Sequence, residues 1–123
     1  MTAYSERRTK MSDCLFCKIA SGEIPSNKAY EDDKVLAFYD LDPQAPVHVL
    51  LIPKKHLDSV SAAEDGDAEL LGYMLLKVRD IAKDLGLENG YRVVINTGED
   101  GGQTIKHLHM HILGKRSMIW PPG

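Results

Sequence analysis

The chain is short of cysteine, of large aromatic rings and of net charge. Cys14 and Cys17 are its only cysteines, too few for the disulfide framework of a small secreted domain. At 123 residues the chain buries enough surface on folding to need no such framework. The two thiols lie three positions apart with no third to pair with, so a reducing cytoplasm is the expected setting. Fifteen lysines and arginines against 18 acidic residues leave a net charge of −3, which speaks against a nucleic-acid partner held by bulk positive charge. No apolar run approaches the ~20 residues of a membrane span, and the opening MTAYSERRTK carries no apolar block of the signal-peptide kind. No membrane partner is expected. The remaining composition, 43% hydrophobic and 27% charged, is that of one soluble globular domain.

Residues 1–12 hold Arg7, Arg8 and Lys10 and almost nothing to bury; they read as a disordered lead-in, with Met11 as a second candidate start, and residues 13–123 as one domain. Leu15, Phe16 and Ile19 fit a short helical turn closed by Ser21-Gly22, and Pro25 and Asn27 mark a loop. Residues 35–39 read as a strand stopped by Asp42-Pro43, and residues 47–52, framed by Pro46 and Pro53, as a second. Ser61-Ala62-Ala63-Glu64 has capping-box spacing. Between Asp67 and Leu85, the residues Leu71, Met74, Leu75, Val78, Ile81, Ala82 and Leu85 recur at helical spacing and form the core face of one long helix, with Gly86 as its stop. Residues 91–95 and 107–113 are the remaining strands, with a glycine-rich turn, residues 98–102, between them. Strands early and late around one long helix predict an α+β domain with a mainly antiparallel sheet.

His107, His109 and His111 are three of the five histidines and alternate along the last predicted strand. Alternate strand residues share a face, so Leu108, Met110 and Ile112 are expected in the core and the three imidazoles on the other side, ~7 Å apart. An apolar row behind a polar one holds reactive groups on a rigid element. Two chemistries fit. A neutral imidazole can attack phosphorus while its neighbours set its tautomer and move protons. Alternatively, the imidazoles bind a catalytic metal, as His-x-His strands do in zinc hydrolases. The turn Gly98-Glu99-Asp100-Gly101-Gly102 favours the first, because consecutive glycines let amides converge on an anion and Gln103 and Thr104 add donors beside it.

Cys14-x-x-Cys17 carries three readings. A redox pair of the thioredoxin kind needs a strand before it, and only the polar lead-in stands there. A zinc half-site needs two further ligands. The third reading is a pair of reduced, half-buried thiols. Lys54-Lys55-His56 and Lys115-Arg116 read as solvated basic loop ends.

Gly101-Gly102-Gln103-Thr104 followed by His107-Leu108-His109-Met110-His111-Ile112-Leu113 resembles the signature of the histidine triad (HIT) superfamily. Glu31-Asp32-Asp33, Pro43-Gln44-Ala45-Pro46, His48, Ile52-Pro53-Lys54-Lys55-His56, Gly90-Tyr91-Arg92 and the terminal Trp120-Pro121-Pro122-Gly123 extend the likeness over residues 13–123 and resemble its nucleotide-binding, HINT-like branch. The resemblance implies a five-stranded sheet with one long helix and a short N-terminal one, continued across a homodimer. It also implies a purine nucleoside phosphoramidate hydrolase that yields an AMP- or GMP-type product and needs no metal for catalysis. By the same resemblance His109 is the nucleophile on the α-phosphorus, with a backbone carbonyl on its other ring nitrogen. His111, Gln103, Asn96 and Gly102 match positions on the phosphate side, and Thr104 a hydroxyl near the leaving group; His48 and His107 complete the catalytic set. Asp40 matches the carboxylate that takes the ribose hydroxyls. Phe16, Ile24, Phe38 and Leu41 match the apolar slot for the base, and Trp120 a tail residue near the other subunit's site. Tyr39 departs from the pattern, where many relatives carry histidine. Some relatives with this cysteine pair bind structural zinc with histidines at matching places, which here implies Cys14, Cys17, His48 and His107 as the candidate ligands. Two competing functions stay open, a metal-dependent nucleotide hydrolase and a nucleotide-binding scaffold whose hydrolysis is incidental.

Overall fold

A computed structural model describes residues 13–123, so the expected lead-in at 1–12 lies outside the described residues. Within them run helix α1 (Leu15–Ala20), strands β1 (Lys28–Glu31), β2 (Val35–Tyr39) and β3 (Val47–Pro53), helix α2 (Ala68–Asp84), and strands β4 (Tyr91–Val94) and β5 (Met110–Gly114). The strands pair antiparallel throughout, in the order β1-β2-β3-β5-β4. This is the expected α+β architecture, with a five-stranded sheet and one long helix.

The sheet is covered on both faces, which explains the unbroken apolar runs in its middle. Val35 and Ala37 of β2 and Val49 and Leu51 of β3 join the core beneath α2. Their alternates Leu36, Phe38, Leu50 and Ile52 join a second core with Phe16 and Ile19 of α1. The expected stripe of α2 is seated through Met74, Val78, Ile81 and Ala82. Leu75 departs from it: lying on the flank of the stripe, it is 53% exposed, as is its neighbour Leu76. The capping box expected at Ser61 forms later, where the Glu64 N–H donates to Asp67 Oδ2 at 2.9 Å; residues 60–62 are only a short 3-10 turn.

β1 gives no strand signal in the sequence, because Lys28 and Glu31 face solvent and only Ala29 and Tyr30 are half-buried. Asp32 closes its hairpin. Oδ1 accepts the Lys34 and Val35 N–H groups, and Oδ2 accepts the Tyr30 and Tyr73 hydroxyls. Burial alone would raise the Asp32 carboxyl, but those four bonds outweigh it and hold the group well below the usual carboxylate range. The Tyr73 bond ties α2 to the hairpin.

The last strand differs from expectation at its start. It begins at Met110, and the chain carrying His107 to His109 approaches it without a ladder partner. The β3–β5 ladder runs only from Val47↔Gly114 to Leu51↔Met110. Pro53, which ends β3, has no N–H to extend it, and the Leu108 N–H turns instead to the Leu57 carbonyl at 2.6 Å. The alternation survives all the same: Leu108, Met110 and Ile112 are buried beneath α2.

Candidate active site and metal centre

His109 and His111 lie on the α1 side of the sheet, His111 directly across from Leu50. A cleft of about 250 Å³ opens there. Of the residues expected at a nucleotide site, Phe16, Phe38, Asp40, Leu41, Thr104, His109 and His111 line it. Phe16 wedges between its wall and the histidines, edge-on to Phe38 at 5.5 Å and to His109 at 5.1 Å. Leu15, Ile19, Leu50 and Ile105 also line the cleft, beyond the residues expected to receive the base; Ile19, three positions after Phe16 in α1, is the one that helical spacing signals. Ile24 packs against the α1 core instead, Asn96, Gly102 and Gln103 do not line the cleft, and Trp120 is 81% exposed at the tail. The turn does require its glycines: a Cβ at Gly101 would collide with the Thr97 carbonyl, and Gly98 and Gly102 hold φ near +74° and +77°.

His109 and His111 have ring centroids 5.1 Å apart, closer than the ~7 Å repeat of an extended strand, and each of the three histidines is in a different hydrogen-bonded state. Since a carbonyl only accepts, each such contact fixes a tautomer. His109 Nδ1–H donates to the His107 carbonyl at 2.7 Å, which leaves Nε2 as a free lone pair. That is the protonation a nucleophilic imidazole needs.

His111 is fixed from further back. The Gln44 N–H donates to His48 Nδ1 at 3.0 Å, so the neutral His48 ring carries its proton on Nε2. That Nε2–H donates to His111 Nδ1 at 2.8 Å, with Asp40 Oδ2 a second acceptor 3.5 Å away. His111 therefore keeps its own proton on Nε2 and offers a donor. Burial pushes His111 down to about 4, assisted by positive charge on His109 and His48 when these are protonated; burial also lowers His48, despite the pull of Asp40 and Asp42.

His107 belongs to another cluster. Its Nε2–H donates to the Pro53 carbonyl at 2.8 Å, and burial first of all pushes its pKa down to about 4. Its Nδ1 faces Cys14 Sγ at 3.3 Å, Cys17 Sγ at 3.5 Å and His56 Nδ1 at 3.2 Å. His56 in turn donates Nε2–H to Asp58 Oδ1 at 2.6 Å, which leaves its Nδ1 for the cluster, 3.2 Å from Cys17 Sγ. The fourth member is thus His56, not the expected His48. β3 points His48 at His111, while the chain turns after Pro53 and returns His56 beside His107.

Four atoms converge here, two sulfurs and two imidazole nitrogens, with only the weak thiol hydrogens among them. Metal–ligand bonds of ~2.0–2.3 Å in a tetrahedron put ligand atoms ~3.3–3.8 Å apart, close to the spacings found. A divalent cation replacing the two thiol protons would leave a neutral buried unit, and the His56–Asp58 bond is the carboxylate support that metal-binding imidazoles use. Without a cation, burial first and then the Cys14 contact push the Cys17 thiol up to about 12. The donor set fits zinc.

The HIT domain family matches residues 21–118. The 14 kDa zinc-binding protein of Zea mays is 52% identical over 119 residues, covering 95% of this chain and 93% of its own. Among solved structures, a HIT family hydrolase from Legionella pneumophila superposes with a TM-score of 0.88 at 51% identity, covering 89% of this chain and 99% of that one. The histidine triad nucleotide-binding protein of Candida albicans gives 0.75 at 35% identity, covering 88% and 81%. The matched stretch holds the whole sheet, the glycine-rich turn and all three in-line histidines, and the chain belongs to the HIT domain family.

Proposed function

We propose that the chain hydrolyses purine nucleoside 5′-phosphoramidates by way of a nucleotidyl-histidine, as a member of the HINT-like branch. The observation that carries this reading is the His109 tautomer: Nδ1–H is held by the His107 carbonyl, and the free Nε2 belongs to a ring lining the cleft of about 250 Å³ beside Phe16, Phe38 and Asp40. The hydrolase and nucleotide-binding names of the two structural neighbours support it.

In the first step His109 Nε2 forms a bond to the α-phosphorus, and the P–N bond breaks toward the amine. An amine leaves readily only with a proton, and the Thr104 hydroxyl and His111 Nε2–H are the donors beside it. In the second step water attacks phosphorus and gives up a proton to the group that protonated the amine, the histidine–phosphorus bond breaks, and the nucleoside monophosphate departs from the restored His109. Phe16, Phe38 and Leu41 receive the base, and Asp40 the ribose hydroxyls. His107 serves as a metal ligand instead of a proton carrier, with Cys14, Cys17 and His56. Zinc held there supplies charge neutralisation and a cross-link between α1 and the β5 approach.

A second copy completes the picture. Leu75 and Leu76 are exposed on α2, and β4 has one unpaired edge, which together suit a homodimer whose sheet runs on from copy to copy and whose tail brings Trp120 to the neighbouring cleft. A metal-dependent hydrolase built on Asp40, His48 and His111 is disfavoured. Those groups do converge, but His48 Nδ1 is capped by the Gln44 N–H and its Nε2 must keep a proton.

The test is incubation with adenosine 5′-phosphoramidate and rapid quenching at neutral pH. An acid-labile adduct of one nucleotidyl group should appear in the intact mass of the wild type and be absent from His109→Ala. Turnover without any such adduct, and halted by chelators, would overturn the reading.

A further inference from the structure

We propose that Gln103 is a positioning residue that fastens the glycine-rich turn to the wall of the Cys/His cluster, in place of the phosphate contact its position implies by resemblance. The inference rests on the zinc reading of that cluster. The Gln103 carboxamide is taken up from within the protein. Its Nε2 donates to the Asp58 carbonyl at 2.6 Å and to the Ile105 carbonyl at 3.0 Å, and its Oε1 accepts the Gly98 N–H at 2.9 Å. A carboxamide has two N–H donors, so both are bound to main chain and none is left for a phosphate oxygen.

Each partner leads to a different part of the site. Gly98 opens the turn, whose closing bonds run from the Gln103 N–H to the Gly98 carbonyl and from the Gly102 N–H to the Glu99 carbonyl, each 3.0 Å. Asp58 carries the carboxylate that fixes the His56 tautomer at 2.6 Å. The Ile105 carbonyl also accepts the His107 N–H at 2.9 Å. One side chain thereby joins the glycine-rich turn to the segments bearing both histidine ligands. On this proposal binding at the turn is coupled to binding at the cluster, and such coupling is equal in both directions.

The test uses the full-length protein, as wild type, Gln103→Ala and Gln103→Glu. Zinc content is measured first, then zinc affinity by competition with a chromophoric chelator, with and without saturating AMP; AMP affinity is measured on zinc-free protein. Both variants should bind zinc about 10-fold more weakly, the scale on which outer support of a metal ligand acts. AMP should shift zinc affinity by about 5-fold or more in the wild type and not in the variants. AMP affinity of the zinc-free proteins should agree within about 3-fold, because no phosphate contact has been removed. Gln103→Glu keeps the acceptor for Gly98 and serves if the alanine variant fails to fold. Unchanged zinc affinity with AMP weakened about 10-fold or more would mark a direct phosphate ligand and overturn the proposal. Zinc bound equally by all three proteins, with no AMP linkage, would overturn it alone. A wild type that takes up no zinc would overturn the zinc reading and carry this inference down with it.

Discussion

Two histidine clusters flank His109 in this fold, and they differ in where their protons are. In Asp40, His48 and His111 every ring nitrogen that faces a neighbour is assigned: an N–H from Gln44 enters at His48 Nδ1, and each ring passes one on from Nε2. In Cys14, Cys17, His56 and His107 the ring protons point outward, to Asp58 and to Pro53, and four lone-pair atoms face inward. One cluster is arranged to hand a proton toward the cleft, the other to receive a cation. Residue types and proximity hardly separate them; the partners just outside each ring do.

His109 stands between the two, its Nδ1–H on the His107 carbonyl and its ring against His111. Its loss should have the largest effect. His109→Ala is expected to lower turnover of adenosine phosphoramidate by about 10⁴-fold or more while AMP still binds, measured by steady-state assay and calorimetry. Residual turnover near the wild-type rate would place the chemistry elsewhere.

Next come substitutions that should separate the clusters. Cys17→Ala should abolish zinc uptake in native mass spectra, and with it the stabilisation that bound metal gives, about 4 kcal/mol at zinc a thousandfold above its dissociation constant. His48→Asn should leave zinc content unchanged and cut kcat by about 10²-fold, since it removes the N–H that sets the His111 tautomer. If His48→Asn instead loses zinc, the division drawn here is wrong.

Much of this fold was legible in the sequence because its central elements carry their own signal. β2 and β3 are found where short apolar runs bounded by turn and proline signals put them, and α2 where helical spacing puts it. β1 was silent, being a polar edge strand whose pairing rests on β2, and the early end of β5 was overread because its ladder depends on Pro53 and Leu57, far away in the chain. At the site, the histidine row and most of the cleft lining are readable in the sequence, but the fourth member of the Cys/His cluster, expected at His48, is His56. The β3–β5 register decides this. Extended past Leu51↔Met110, it brings His107 toward the chain just beyond Pro53, where His56 lies, and leaves His48 opposite Leu113 and within reach of His111. Register is a property of two segments together, and no spacing within either one contains it. The use of Gln103 was hidden for the same reason, since its partner Asp58 is 45 positions away.

The smallest expected effect is on acid stability, and it too divides the clusters. Burial holds His111 neutral in the folded chain, with its pKa near 4, against about 6.5 when unfolded. Above pH 6.5 both states are neutral and the group contributes nothing to pH dependence. Below it the unfolded chain takes up a proton that the folded chain refuses, so stability falls as pH drops from about 6.5 toward 4 and levels off beneath. By pH 5 the loss from His111 should be about 1–2 kcal/mol once its partial exposure is allowed for. In zinc-loaded protein the Cys/His cluster would add an acid loss of its own, because thiolates and imidazoles protonate as zinc leaves. Urea midpoints at pH 7.5 and 5.0 for the zinc-loaded wild type and His111→Asn separate the two. The variant should lose His111's share of the decline and keep the share due to the cluster. A decline of equal size in both proteins would mean that folded His111 takes up a proton as readily as the unfolded chain does, and that burial does not hold it as the neutral donor assigned to it.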